Sequence, residues 1–165
     1  MKKLFAIAIL GSVVLVSCKK SSGGSAPLQA TINGTVTNFG TDASGLTTSS
    51  SGEYIITIEG ATGTASISSQ LGVTISSTSP IVAGTYTDTT ISNFGGIQYV
   101  PSSTAGSSIF GSAAQKSHPT TVVVTSVSST QIVGTFQGTI YAGQDTTTTP
   151  TTITNGTFNV KLTAQ

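Results

Sequence analysis

The chain has 165 residues, one Cys, no Arg and no Trp, and a formal net charge of +1. Four of its six Lys (Lys2, Lys3, Lys19, Lys20) lie at the N-terminus; beyond them Lys116 and Lys161 face five acids, a balance of −3 with His118 neutral. A mildly acidic domain without Arg excludes an electrostatic nucleic-acid interface, and a single cysteine excludes an intramolecular disulfide. The length fits one domain, able to bury about two-thirds of its unfolded surface without cross-links.

Met1-Lys2-Lys3 is a positive end, followed by an apolar body from Leu4 to Val16. That body is shorter than the roughly 20 residues a membrane-spanning helix needs, so it reads as a cleaved export signal. Leu15-Val16-Ser17-Cys18 closes it and resembles a bacterial lipobox. The resemblance implies cleavage before Cys18 and a diacylglycerol on its thiol. Residues 1–17 are then a lipoprotein signal peptide, and the alternative is an ordinary signal followed by an unmodified Cys. Residues 18–27 form the lipidated Cys and a flexible Gly/Ser-rich tether, because nothing in KKSSGGSAP can pack. Lys19 and Lys20 would add about 1 kcal/mol each against anionic head groups.

A single β-domain is expected over residues 28–165. The whole chain holds 31 Thr and 25 Ser together with many Val and Ile, and helix-forming runs are missing after residue 20. Leu28, Ala30 and Ile32 alternate with polar neighbours up to Asn33-Gly34, a type I′ turn signal, and Val36 and Phe39 follow. Residues 41–52 (TDASGLTTSSSG) read as a loop. EYIITIE at 53–59 is a strong strand, with Tyr54, Ile56 and Ile58 on one face. Shorter strands are expected at 64–68 and 71–76. IVAGTYT at 81–87 follows Pro80, with Gly84 a candidate bulge. IQYV at 97–100 ends at Pro101. Residues 102–119 form the longest non-periodic stretch, broken only by Ile109-Phe110; the plain reading is a surface insertion, and it is also the first place to seek a binding loop.

The last third is the best patterned. TVVVTSV, a Ser128-Ser129-Thr130 turn and QIVGTFQGTIY read as a hairpin whose second arm puts Ile132, Gly134, Phe136, Gly138 and Ile140 on one face. Alternating small and large residues suit a curved, tightly packed interior. After a loop at 144–150, ITNGTFNVKL closes the domain. The expectation is an all-β, antiparallel sandwich or barrel of about 8–10 strands. VVVTSVSSTQIVGTFQGTIY and ITNGTFNVKL resemble the ending of small lipoproteins of Bacteroidota. That resemblance implies a β-domain at the outer membrane and supplies no catalytic residue.

Chemistry-bearing residues are few. His118 would need Asp88 or Asp145 as orienter for a Ser-His-Asp site, and no Gly-x-Ser-x-Gly elbow presents a nucleophile. Glu53 and Glu59 share a strand face but stand about 20 Å apart, too far for paired carboxylates, and read as edge charges. No metal-ligand spacing occurs, and no cofactor is expected. Asp88-Thr89-Thr90 and Asp145-Thr146-Thr147 resemble the O-glycosylation acceptor pattern of Bacteroidota, which points to Thr89 and Thr146; chance matches in a Thr-rich chain are the alternative. Asn33-Gly-Thr35 and Asn155-Gly-Thr157 fit the N-glycan pattern but are explained by turn and strand roles. In the resembling lipoproteins, acidic residues after the lipidated Cys accompany export to the cell exterior. Lys19, Lys20 and Ser21 stand there instead, so a periplasm-facing domain anchored in the outer membrane is expected.

The leading expectation is a non-catalytic, membrane-tethered envelope lipoprotein that binds an envelope glycan or protein, or serves envelope structure. The alternative is a small apolar-ligand carrier with a barrel cavity lined by Ile132, Phe136, Ile140 and Phe158. A hydrolase with a loop-built site ranks third.

Overall fold

A computed structural model of the protein describes residues 26–50, 52–63, 68–102, 108–115 and 117–164. The expected signal peptide, Cys18, the tether up to residue 25, Lys116 and all but Ser68 of the strand expected at 64–68 lie outside the described residues. The described chain is all-β. In order it forms β1 (Leu28–Ile32), β2 (Thr35–Asn38), β3 (Thr41–Ser50), β4 (Glu53–Ala61), β5 (Gln70–Ser77), β6 (Gly84–Thr87), β7 (Asn93–Val100), β8 (Phe110–Gly111), β9 (Thr121–Val127), β10 (Gln131–Ala142) and β11 (Thr151–Ala164).

One layer has the order β6-β9-β10-β11-β1-β2, and the second runs β3-β4-β5-β7-β8. The two longest strands join them at both sides. The end of β10 pairs with β8 (Tyr141↔Gly111, Ala142↔Phe110), and the end of β11 pairs with β3 (Leu162↔Gly45, Ala164↔Thr47). Because β10 also pairs with β11, seven strands close into a ring, and β9-β6 and β1-β2 extend the first layer beyond it. Leu28, Phe39, Ile58, Leu71, Ile75, Ile132, Ile140, Ile153 and Phe158 fill the space between layers and are essentially inaccessible. Each such side chain contributes about 1.5–3 kcal/mol by leaving water.

The joining strands are held by a reciprocal contact. Gly134-Thr135-Phe136 of β10 lies antiparallel to Gly156-Thr157-Phe158 of β11, in the register Gly134↔Phe158, Thr135↔Thr157 and Phe136↔Gly156. Each ring occupies the space that a side chain on the opposite glycine would need. The two rings stack with centroids 6.3 Å apart and planes 21° from parallel. Phe136 is 2% and Phe158 1% exposed. Just before this motif, Asn155 takes φ +50° and the register slips between Phe136 and Gly138. This bulge changes the phase of the alternation, so that Ile153 on one side and Phe158, Val160 and Leu162 on the other all face the core.

Several expectations are corrected. The described strands number eleven rather than 8–10, and the β11–β3 pairing is parallel, so the sheet is mixed. The loop expected at 41–52 is strand over its first ten residues: Thr41–Ser50 form β3, paired along most of β4 from Ser44↔Glu59 to Ser50↔Glu53. This run of mostly Ser, Thr and Gly residues lacks an apolar alternation, and only the pairing with β4 and β11 makes it a strand. Residues 81–83 precede β6 instead of belonging to it, and Gly84 opens that strand without a bulge. The Tyr86 hydroxyl explains the departure: it donates to the Val82 carbonyl at 2.9 Å and accepts from the Val82 amide at 3.1 Å, folding the chain back. The Asn33-Gly34 turn forms as read, with φ +47° and +85°.

Adding one methyl at the reciprocal contact tests its tightness. Gly156→Ala should cost about 1–3 kcal/mol through overpacking against Phe136. Ala at Gly63, where the space is open, should cost less. Urea unfolding of both variants measures the difference.

Candidate functional site

The two Asp-Thr-Thr segments occupy exposed turns with different internal wiring. Thr87 to Thr90 form a turn closed by the Thr90 amide on the Thr87 carbonyl, and the Thr87 hydroxyl lies 3.2 Å from that of Thr89. Thr89 is exposed, but Asp88 beside it is only 6% exposed. Asp88 Oδ1 accepts the Thr120 amide at 3.0 Å, whereas Oδ2 is buried with no partner among the described residues. The Thr120 hydroxyl in turn meets Ser112 Oγ at 2.9 Å, which accepts the Ile97 amide at 2.8 Å. Asp88 therefore ties down the end of the 102–119 stretch.

Asp145 is fully exposed. Its Oδ1 accepts the backbone amide of Thr147 at 2.9 Å and the Thr147 hydroxyl at 2.8 Å. The backbone bond first, then the hydroxyl, hold its carboxyl below the ordinary aspartate range. Thr146 projects from the same turn and is exposed.

The residues of the hydrolase reading are not joined by any hydrogen bond among the described residues. Exposed His118 meets Ser117 Oγ through Nδ1 at 3.1 Å, while Asp88 bonds Thr120 and Asp145 bonds Thr147. Glu53 and Glu59 are exposed on β4, whose neighbours are β3 and β5, so they do not guard a sheet edge as expected. Among the described residues no group of three His, Cys, Asp or Glu is placed to hold a metal. Ile132, Phe136, Ile140 and Phe158, named for a carrier cavity, are packed within the core. An opening of about 290 Å³ instead lies between Tyr54, Ile81, Val127 and Leu162, where the two layers part.

A different surface gathers recognition groups. On the outer face of the second layer, Ser44, Glu59, Gly72, Gln98 and Gly111 stand opposite one another across β3, β4, β5, β7 and β8. The next row carries Leu46, Thr57, Thr74 and Gly96. Gly72 leaves the middle of the face open between Glu59 and Gln98, while the spaces over Gly96 and Gly111 are partly taken by the side chains of Phe94 and Gln144, and a trough results. One hollow of about 450 Å³ is lined by Thr74, Phe94, Gly96, Gln98, Gly111 and Gln144 among others. A second, of about 270 Å³, is lined by Asp42, Glu59, Gln70, Gly72 and Gln98 among others, so Gln98 belongs to both. The Phe94 ring leans over Gly96. Gln144 follows β10 with φ +61°, a conformation disfavoured for a non-glycine residue, and its side chain lies over Gly111. The Gly143 amide donates to the Ile109 carbonyl at 2.8 Å and holds this turn against the hollow.

Sequence reading missed the trough, because glycines at alternate outward positions acquire meaning only in register. The signal present was Phe94-Gly95-Gly96, where a ring and a glycine two apart share a face. Comparison with protein-family models, curated protein sequences and solved structures found no match.

Because the folded Asp145 carboxyl is depressed, its small contribution to stability is present above the ordinary aspartate pKa and lost as pH falls through the folded value. Carboxyl-carbon NMR should place the midpoint below that of an ordinary Asp. Thr147→Val should raise it only in part, since the backbone bond stays.

Proposed function

We propose that the chain is a non-catalytic, lipid-tethered envelope protein whose β-domain is a binding module. The observation that carries the reading is the glycine-floored trough on the outer face of the second layer. It collects amides, hydroxyls, carboxylates and one ring on a rigid sheet, the arrangement expected of recognition rather than of proton transfer. The lipobox resemblance at Leu15 to Cys18 supports a membrane anchor through Cys18. The basic residues after it support a domain facing the periplasm from the outer membrane. Cys18→Ala should move the protein from the membrane fraction to the soluble one. A photo-cross-linker at Thr74, inside the trough, should capture a partner in intact cells that a cross-linker at exposed Thr125 of β9 does not. Equal capture at both positions would count against the trough.

The carrier reading rests on the apolar opening between Tyr54, Ile81, Val127 and Leu162. A carrier would copurify with a small apolar molecule lost on denaturation.

Thr89 and Thr146 are proposed as O-glycosylated. Both are exposed on turns where a transferase has access, and the Asp145 contacts leave the Thr146 side chain outside the carboxylate's bonds. The double variant Thr89→Ala/Thr146→Ala should lose carbohydrate mass on intact-protein mass spectrometry. A parent protein at its bare peptide-plus-lipid mass would end the idea.

A further inference from the structure

We propose that the trough binds a neutral saccharide chain laid across the strands. The inference rests on the reading of this face as a contact surface and adds the class of ligand.

The backbone of the floor narrows the choice first. β4 and β5 are paired on both sides along the trough; β7 is paired with β5 along its length and with β8 at Gln98 and Tyr99, and Ser112 takes the amide and carbonyl of Ile97 beyond that. They have no free ladder of amides and carbonyls to offer, so an extended peptide cannot be bound here by strand addition. Recognition has to run through side chains, in the direction perpendicular to the strands.

Those side chains form a row of posts and gaps. Glu59 and Gln98 are separated by Gly72, and Gln98 is followed by Gly111 with Gln144 above it. With neighbouring strands about 4.8 Å apart, the five strands from β8 to β3 span about 19 Å between the outermost axes. Each post carries an acceptor oxygen, and the two glutamines carry donors as well. A chain of hydroxyl-bearing rings matches that mixture, one ring lying over the Gly72 gap and its hydroxyls reaching the posts on either side. Phe94 supplies what a purely polar groove lacks. Leaning over Gly96 in the neighbouring row, its half-buried ring offers an apolar face beside the amides, suited to the C–H face of a pyranose.

Charge selects within the saccharides. The second hollow carries Asp42 and Glu59, and among the described residues neither hollow is lined by a cation. Lys161, the lysine among the described residues, lies on β11 opposite Gln131 and just before the Leu162↔Gly45 pairing with β3, at the flank of this layer and outside the lining of both hollows. An acidic sugar would meet two carboxylates in the second hollow, whereas neutral hydroxyls donate to them.

The test uses the full-length protein in mild detergent and isothermal titration with four hexasaccharides: three neutral ones, of glucose, xylose and mannose, and hexagalacturonate as the anionic comparator. At least one neutral chain should bind, and more tightly than hexagalacturonate. Gln98→Ala and Phe94→Ala should each weaken it by about ten-fold or more, with the circular dichroism spectrum and thermal midpoint of Gln98→Ala unchanged. Binding of no neutral chain, preference for hexagalacturonate, or binding indifferent to Gln98→Ala would each overturn the proposal. If no neutral chain binds but the Thr74 cross-linker captures a partner, the saccharide falls and the contact surface stands. If neither occurs, both fall.

Discussion

The contact between the two Gly-Thr-Phe segments is the constraint on which the rest of the domain depends. β10 and β11 are the strands common to both layers, so their register sets where each layer begins. Placing Phe158 over Gly134 and Phe136 over Gly156 defines that register with bulk on one strand and space on the other. A shift by one residue would turn every core residue of one strand outward, and a shift by two would set ring against ring. The stacked rings add to this about 0.5–1.5 kcal/mol beyond their burial. The larger effect is geometric: two backbones come close enough for the first layer to curve around its core.

That curvature positions the trough. With β10 fixed against β11, its far end reaches β8 through Tyr141 and Ala142, and the turn that follows brings Gln144 over Gly111. At the other side, the end of β11 takes up β3 in parallel, completing the second layer beyond β4. The trough therefore sits on a sheet bounded on both flanks by strands of the other layer. β4 and β5 are paired along both sides and β7 along its β5 side, which leaves side-chain chemistry to decide what is bound across them. The chain between Ser102 and Pro119, suspected at first as a binding loop, enters this arrangement as a support. Its Ser112 hydroxyl bonds the Ile97 amide and joins the Thr120–Asp88 network, and its Ile109 lines the first hollow.

Legibility in the sequence followed apolar alternation. Leu28 to Ile32, Tyr54 to Ile58, Leu71 to Ile75 and the β9–β10 hairpin declare themselves because one face of each is buried. β3 did not, since its stability comes from backbone pairing with β4 and from Leu162 and Ala164 alongside. The candidate site was less legible than the fold. Asp88 read as a glycosylation-turn residue or a catalytic orienter, yet its carboxylate is spent on the Thr120 amide, a partner 32 residues away. Glu59 read as an edge charge because its strand's neighbours could not be counted from one dimension.

By itself the sequence determined the all-β class, the hairpin turns at Asn33-Gly34 and Ser128 to Thr130, and most of the core, because each of these depends on residues within a few positions of one another. Tertiary structure alone decided the ring closure, the parallel β11–β3 pairing and the trough. These depend on which strands become neighbours, a choice made by the total burial and hydrogen bonding of the whole sheet. Gly72, Gly96 and Gly111 are only small residues along the chain; they become one floor when register places them on adjoining strands.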